Sequence, residues 1–474
     1  MGTNNINTEI SAETKAELEL AANSDQQHVW HHISQHKDFE KQAPKMMVKG
    51  KGLRITDDHG KTFLDAVSGA VWTVNVGYGR ERIAKAVYEQ IKNMNFFAGS
   101  MGSVPGAQFA QMLTDLMPGL ERVYYSNSGS EANEKAFKIV RQISHNKYAG
   151  KKSKILFRER DYHGTTIGAL SATGQNQRKD QYGPFSPGFV EFPHCCEYRS
   201  QFGDVSKLDK SYGELAALEM EKVILAEGGS DEFGAVIVEP ITAGGGVITP
   251  PEGYYETIQA LCKKHNLLLI IDEVVCGLGR TGKWFGYQNY GIQPDIVTMA
   301  KGVASGYAAI SCTVTTEAVF NEFKENPSDN MSYFRDISTY GGCTAGPTAA
   351  IENMNIVKEE NLLENSVKMG EYAMQKMQAL KDKHQLIGDI RGKGLFLGIE
   401  LVNDRNTKEP VHEDVIAKIT ADCMENGVIV GRTNRSFTHL NNTLCLAPAL
   451  IATKDDIDEI MDVIDKAIGR VKLI

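Results

Sequence analysis

The hydrophobic positions of this chain fall in short unbroken runs with helical stretches between them. Such runs stand at 123–126, 155–158, 233–238, 267–271 and 294–300. Apolar runs without alternation are typical of strands buried on both faces, as in the interior of a parallel sheet. Because helical stretches such as the one that begins at Glu131 separate them, the pattern predicts βαβ units and a mostly parallel sheet. From about residue 361, long charged helices alternate with strands, which predicts a smaller α+β domain.

Two of these runs are followed directly by residues that carry chemistry. The run 267–271 ends in Asp272, and the run 294–300 ends in Lys301. Open α/β sheets bind ligands at the carboxyl ends of their strands. Pyridoxal phosphate is held as a Schiff base by a lysine and has its ring nitrogen paired with an acid. Taken alone, a lysine or an aspartate at such a position is more often a solvated surface lysine or a helix-capping aspartate.

A second signal lies between the run 123–126 and the helical stretch that begins at 131. The linking residues Asn127, Ser128, Gly129 and Ser130 would place backbone N–H groups and hydroxyls at a helix N-terminus, which suits a phosphate. The alternative is a plain helix cap with Ser130 as the capping residue. Tyr162, after the run 155–158, would offer an aromatic face to a planar ligand.

The composition and net charge limit which partners and which cellular compartment are expected. The chain has 474 residues, a net charge of -9 and eight cysteines. This charge gives no general attraction to nucleic acid or to anionic membranes, and neither partner is expected. We expect a cytoplasmic protein with reduced thiols and no metal site, because no ligand pairs stand at zinc spacing. Residues 1–27 are polar and predict a leader that is not a signal peptide.

Taken together, the motifs resemble those of the class III pyridoxal-phosphate-dependent aminotransferases. The resemblance covers nearly the whole chain from about residue 28, and the matching segments occur in the family's order. They are WTVNVGYG at 72–79, NSGSEAN at 127–133, YHG at 162–164, EP at 239–240, IDEVVCGLGRTG at 271–282, MAKG at 299–302 and TYGG at 339–342.

The resemblance implies the fold and the domain organisation. The expected fold is α/β, the fold-type I architecture of pyridoxal-phosphate-dependent transferases, with a mostly parallel seven-stranded sheet in the large domain and a smaller α+β domain. Residues 28–75 would join the small domain, 76–345 would form the large cofactor-binding domain, and 346–474 the C-terminal small domain. The family's shared active sites imply a homodimer or a dimer of dimers.

The resemblance also implies a role for each site residue. Lys301 would be the Schiff-base lysine and the acid–base catalyst, and Asp272 the partner of the ring nitrogen. The remaining expected contacts of the cofactor are Ser128, Gly129, Ser130, Tyr162, His163, Glu239, Val274 and, from the neighbouring subunit, Thr339. Trp72 would line the substrate pocket, with Arg432 and Arg435 as the nearest candidates for the arginine that binds the substrate anion.

Gly244 separates this chain from two branches of the family. Ornithine and γ-aminobutyrate aminotransferases carry a glutamate at this position, so the pattern is more similar to the ω-amine:pyruvate branch. The implied reaction moves the amino group of an ω-amino donor, with taurine as the expected donor, to pyruvate. The alternatives are another ω-amine or β-alanine donor, an aminomutase or decarboxylase with the same cofactor, and a non-catalytic binding protein of the same fold.

Overall fold

The computed structural model describes residues 12–41, 43–207, 209–324, 328, 332–433 and 441–471. Its described strands form three sheets. In chain order the strands are β1 Met47–Lys51, β2 Arg54–Asp57, β3 Thr62–Asp65, β4 Arg122–Ser126, β5 Lys154–Arg158, β6 Phe189–Phe192, β7 Phe233–Val238, β8 Leu268–Asp272, β9 Ile296–Met299, β10 Ser311–Thr315, β11 Ile387–Gly392, β12 Leu397–Asp404, β13 Glu409–Pro410, β14 Val428–Ile429, β15 Gly431–Arg432 and β16 Thr443–Leu446.

The α-helices of the described residues lie mostly between these strands. They are α1 Ala12–His28, α2 His36–Phe39, α3 Glu81–Asn93, α4 Val104–Thr114, α5 Gly129–Tyr148, α6 Ile167–Ser171, α7 Asn176–Lys179, α8 Tyr212–Ala226, α9 Tyr254–His265, α10 Glu317–Asn321, α11 Ala345–Glu359, α12 Leu362–Lys383, α13 Glu413–Glu425 and α14 Lys454–Gly469. Among the described residues, none of these helices is both long and apolar enough to cross a bilayer.

The central sheet has seven strands in the described chain, in the order β4-β10-β9-β8-β7-β5-β6. The five strands from β9 to β6 are parallel to their neighbours, whereas β10 is antiparallel to both β4 and β9. Helix α5 packs on one face, where Phe137 and Val140 join a buried cluster with Ile237 and Ile270. The expected mostly parallel sheet is confirmed, with one reversed strand.

Two further sheets lie outside the central one. The order β1-β2-β3-β14 joins the N-terminal strands to Val428–Ile429, because β14 is parallel to β3. The second sheet, β11-β12-β16-β15 with β13 paired to β12, is antiparallel. The β2–β3 hairpin is therefore joined in one sheet to a strand more than 360 positions later in the chain.

Candidate active site

One cavity of about 160 Å³ opens at the carboxyl ends of β8 and β9. It brings together most of the residues expected from the sequence. The residues that line it are Trp72, Gly129, Ser130, Asn133, Tyr162, His163, Gly164, Glu239, Ala243, Gly244, Asp272, Val274, Val275, Ala300 and Lys301.

Lys301 enters this cavity directly after β9. Its backbone has φ of +42°, a left-handed conformation that costs a lysine energy and is found mainly where function requires it. The ammonium lies 5.5 Å from the centre of the Trp72 ring. Burial lowers the pKa of Lys301, against the opposing charges of Asp272 and Glu239. A lower pKa favours the neutral amine, which is the form that attacks a carbonyl or accepts a proton.

The carboxylate of Asp272 is fixed from three sides. Oδ2 accepts hydrogen bonds from Asn133 Nδ2 at 2.8 Å and from the His163 ring at 2.9 Å, while Oδ1 accepts from the Val274 N–H at 3.0 Å. An ionised carboxylate only accepts hydrogen bonds, so Nδ1 of His163 carries the proton. The carboxylate is thereby held at one orientation at the end of β8.

Asn133 connects this acid to the neighbouring strand. Its Oδ1 accepts from the hydroxyl of Thr298 at 2.7 Å, and its Nδ2 also donates to the carbonyl of His163 at 2.7 Å. Thr298 stands opposite Asp272 in the register of β8 and β9. The α5 side chain therefore ties Asp272, His163 and β9 together.

The N-terminus of α5 forms another wall of the cavity. Ser128 caps the helix by accepting from the Glu131 N–H at 3.2 Å, and Glu131 accepts in return from the Ser128 N–H at 2.9 Å. The cap is therefore Ser128, so the alternative of Ser130 as the capping residue is wrong. Ser130 Oγ instead accepts from the Thr165 N–H at 3.0 Å. A Cβ on Gly129 would stand 3.0 Å from Val274, so the lack of a side chain at this position leaves space in the cavity beside Val274.

Glu239 directly follows β7 and supports the part of the cavity wall that Tyr162 forms. Its carboxylate accepts from the Tyr162 N–H at 2.7 Å and from the Ala243 N–H, which holds the Tyr162 backbone at the cavity. Burial, with the charges of Asp161 and Asp272 adding to it, raises the pKa of Glu239. Asp161 accepts from the Glu239 N–H at 2.9 Å and pairs with Arg158 at 3.0 Å.

Three of the expected site residues that the structure describes do not line the cavity. Ser128 contributes the helix cap, Thr339 is exposed on the 339–342 turn, and Arg432 is exposed on β15. Arg435 lies outside the described residues. Conversely, sequence reasoning missed Asn133 as a partner of Asp272. The segment NSGSEAN placed it on a helix start, but nothing local to it indicates a contact with β8.

The cavity fits pyridoxal phosphate. It combines an amine, a fixed carboxylate and the N-terminus of a long helix, which suits a phosphate. Two buried nitrogens at its wall, Trp72 Nε1 and His163 Nε2, have no hydrogen-bond partner in the described part of the chain. Buried polar atoms are nearly always paired, so these two indicate contacts with a bound molecule.

Comparison with known proteins identifies the family. The family model "Aminotransferase class-III" matches residues 37–468. This chain belongs to the class III aminotransferases. As a member of that class it uses pyridoxal phosphate, in agreement with the cavity and with the expectation from its motifs.

Several known aminotransferases are similar to this chain over nearly their whole length. The hypotaurine/taurine–pyruvate aminotransferase of Paracoccus denitrificans (strain Pd 1222) is 62% identical over 94% of this chain and 96% of its own. The taurine–pyruvate aminotransferase of Bilophila wadsworthia is 62% identical over the same shares. A Bacillus anthracis aminotransferase of known structure is 38% identical, with a TM-score of 0.90 over 98% of this chain and 100% of its own.

Among the described residues there is no group of three or more His, Cys, Asp or Glu side chains arranged to hold a metal ion.

Proposed function

We propose that this aminotransferase transfers the amino group of taurine to pyruvate, giving sulfoacetaldehyde and L-alanine. The observation that carries this proposal is the 62% identity, over 94% of the chain, to two relatives named for taurine and pyruvate. The branch indicated by Gly244 is consistent with it. Because one of these relatives is also named for hypotaurine, hypotaurine is the second donor to test.

Lys301 is assigned the proton transfers. When bound, pyridoxal phosphate supplies an electron-accepting ring that stabilises negative charge at the donor carbon next to nitrogen. Nζ of Lys301 would hold the cofactor and, as a free amine, would remove the proton from that carbon and later return a proton. With pyruvate as acceptor the same amine moves protons in the reverse direction. Its lowered pKa suits a base that works near neutral pH.

The other residues are assigned to binding and orientation. Asp272 would face the ring nitrogen and keep it protonated, since Asn133 and His163 already fix its carboxylate. Tyr162 and Val274 would cover the two ring faces. Gly129 and Ser130 at the start of α5 would hold the phosphate, and Ser128 would position them by capping the helix.

A second copy of the chain would complete each site. Near Thr339 the single chain exposes an apolar face made of Phe96, Phe97, Met101, Ile337 and Tyr340, whose exposed fractions run from 36% to 70%. Monomers rarely leave a large contiguous apolar patch exposed to water. We assign this face to a homodimer, in which Thr339 of each copy reaches the phosphate bound by the other.

The proposal includes a cytoplasmic location, as the cysteine content indicated. All eight cysteines lie in the described residues and are free thiols, which suits a reducing compartment.

The test is a donor panel assayed for alanine formation from pyruvate. Taurine, hypotaurine, β-alanine, γ-aminobutyrate and propylamine are each supplied to the purified holoenzyme, and kcat/KM is compared. We expect taurine to exceed β-alanine by about 10-fold or more, which is the effect of about 1.4 kcal/mol in the transition state. A β-alanine value equal to or above that of taurine would contradict the proposed donor, and carbon dioxide release without alanine would favour a decarboxylase.

A further inference from the structure

The turn that carries Lys301 has a strained backbone. Residues 301–303 form one short helical turn directly after β9, in which Lys301 has the φ of +42°. The turn contains a hydrogen bond of its own, from the Val303 N–H to the Ala300 carbonyl at 2.9 Å. A strained backbone persists only where the surrounding structure fixes it, so the contacts of this turn with other elements decide where the lysine stands.

Asn353 on helix α11 supplies two of these contacts. Its Nδ2 donates to the carbonyl of Gly302 at 2.8 Å and to that of Val303 at 2.9 Å, and its side chain is fully buried. A reversed amide would set Oδ1 against the same two carbonyl oxygens, so only the donor end fits there. One side chain therefore fixes the carbonyls of the two residues that follow Lys301.

A second asparagine contacts the turn at Gly302. A Cβ on Gly302 would stand 2.3 Å from Asn75 Nδ2, so the Asn75 side chain lies directly against this glycine. Asn75 is itself held, because its Nδ2 donates to the Leu278 carbonyl at 2.9 Å and its Oδ1 accepts from Arg280 at 2.8 Å. The turn therefore packs on one fixed amide and is hydrogen-bonded by that of Asn353.

The packing of α11 does not by itself explain an asparagine at position 353. Asn353 Oδ1 has no hydrogen-bond partner in the described part of the chain, and an unpaired buried acceptor costs free energy. The other buried residues of α11 are small or apolar: Gly346, Pro347, Ala349, Ala350, Met354, Ile356 and Val357. An apolar side chain would suit this helix better, so the contribution of Asn353 is its two hydrogen bonds to the turn.

The backbone of the turn determines where Nζ of Lys301 stands. Because Nζ is at the end of a four-carbon side chain, a small rotation of the backbone displaces it by a much larger distance. A misplacement of about 1 Å at a reacting group can cost about 100-fold in rate. Burial also lowers the pKa of Lys301, and this effect depends on the turn keeping the amine away from water.

We propose that Asn353 is a positioning residue for the proton transfers of Lys301. By holding the carbonyls of Gly302 and Val303, it fixes the backbone from which the lysine side chain extends, and with it the place of Nζ in the cavity. Asn353 acts only through the turn, because it does not line the cavity. This inference rests on the proposed role of Lys301 as the base, but it does not depend on which amine is the donor.

The test uses two variants of Asn353 and a matched control. Asn353→Leu has a similar volume but no donor, whereas the hydroxyl of Asn353→Ser can donate to one carbonyl. The control is Asn442→Leu, because Asn442 is also buried and its Nδ2 donates to the Leu401 carbonyl at 2.7 Å, outside the cavity lining. Cofactor content and melting temperature are measured for every variant.

Two readouts separate positioning from general stability. In the first, each apoprotein is treated with acetic anhydride at a series of pH values, and mass spectrometry gives the midpoint pH for acetylation of Lys301. The second is the donor half-reaction of each holoenzyme without pyruvate, followed by absorbance. It is run with taurine and with taurine deuterated at the carbon that bears the nitrogen.

In Asn353→Leu, we expect the acetylation midpoint of Lys301 to lie at higher pH than in the wild type, because a looser turn admits water to Nζ. The saturating rate of the half-reaction should fall by about 10- to 100-fold, while the taurine concentration for half-maximal rate stays within about threefold. The deuterium effect on that rate should grow, because proton transfer becomes slower relative to the other steps. Asn353→Ser should lie between the two, and Asn442→Leu should resemble the wild type.

An unchanged midpoint or an unchanged saturating rate in Asn353→Leu would overturn the inference, as would the same changes in Asn442→Leu. If Asn353→Leu does not fold, Asn353→Ser decides by the same two readouts. Loss of folding or of cofactor binding in both variants would assign Asn353 a purely structural role and overturn the inference as well.

Failure of the proposed function gives a different result. A wild-type enzyme that does not convert taurine contradicts the donor, whatever Asn353 does. The acetylation series then decides the inference by itself, because it needs no turnover: a higher midpoint in Asn353→Leu but not in Asn442→Leu supports it, and equal midpoints overturn it.

Discussion

At the scale of single residues, the base Lys301 has a strained backbone, whereas the carboxylate of the acid Asp272 is held in one orientation. Lys301 adopts a left-handed backbone at the end of β9, whereas Asp272 is fixed by three hydrogen bonds at the end of β8. A preorganised charge of this kind does not need to reorient during the reaction, which is the usual origin of large electrostatic effects in enzymes.

Replacing Asp272 by Asn should therefore slow the donor half-reaction by at least about 100-fold. The side chain keeps its size but no longer provides the negative charge that holds the ring nitrogen protonated. Single-turnover absorbance with a saturating amine measures the rate, and fluorescence of the bound cofactor measures its retention. A rate within threefold of the wild type, with the cofactor retained, would remove Asp272 from its assigned role.

Glu273, next to Asp272, provides a prediction about pH. Burial raises its pKa to about 8, although its carboxylate accepts from the Gly286 and Tyr287 N–H groups. The folded state holds this proton more tightly than the unfolded chain, whose glutamates titrate near 4.3. The contribution of Glu273 is therefore fully present below about pH 4 and is lost as pH rises through 8, by on the order of 5 kcal/mol.

In Glu273→Gln, this part of the pH dependence should disappear. Melting temperatures of the apoprotein at pH 5 and pH 8 measure it, with Glu364→Gln, an exposed position on α12, as the control. The wild type and the control should lose stability between the two pH values by more than Glu273→Gln does. Parallel curves for all three proteins would show that Glu273 does not titrate in this range.

At the scale of elements, local pattern predicted the strands better than the contacts between them. The unbroken apolar runs that end in Asp272 and Lys301 identified β8 and β9 correctly, because burial on both faces leaves a strong signal in sequence. The contact of Asn133 with Asp272 joins residues 139 positions apart, and Arg178 on α7 lies over the ring of Tyr162, 16 positions earlier in the chain. Neither contact is indicated by the periodicity of hydrophobic residues, so neither could be predicted from the local sequence.

The N-terminus of helix α5 allows a direct test of how a helix cap positions the residues that would bind the phosphate of the cofactor. Ser128→Ala removes the cap that accepts from Glu131 and should destabilise the protein by about 1 kcal/mol. The loop that carries Gly129 should loosen as well, so the dissociation constant of pyridoxal phosphate should rise.

Ser211→Ala is the matched control, because Ser211 caps α8 by accepting from the Glu214 N–H at 3.1 Å. Calorimetric melting and fluorescence titration with the cofactor measure the two effects. We expect similar losses of stability but weaker cofactor binding only in Ser128→Ala. Equal cofactor affinities would show that the cap does not position the loop.

At the scale of the whole molecule, residues far apart in the chain build one unit around the cavity. The parallel pairing of β3 with β14 and the contact of Trp72 with Phe396, ring centres 5.8 Å apart, join the N-terminal segment to the C-terminal sheets. In the proposed homodimer, the apolar face near Thr339 would extend this arrangement to a second copy.

Ile337→Asp should separate the proposed homodimer. Ile337 is 70% exposed in the single chain, and an aspartate buried against a partner would cost several kcal/mol. Light scattering should show monomers, and cofactor affinity should fall because Thr339 no longer reaches the neighbouring site. Leu225→Asp is the control, since Leu225 on α8 is 66% exposed outside this face. A dimer that persists in Ile337→Asp would contradict the assignment of the face.

The most direct test of the central claim is to locate the covalent attachment of the cofactor. The holoenzyme is reduced with borohydride and digested, and the labelled peptide is sequenced by mass spectrometry, with Lys301→Ala and the exposed Lys283→Ala treated in parallel. The account predicts one pyridoxyl label, at Lys301, which is lost in Lys301→Ala and kept in Lys283→Ala. A label on another lysine, or none in the wild type, would contradict it.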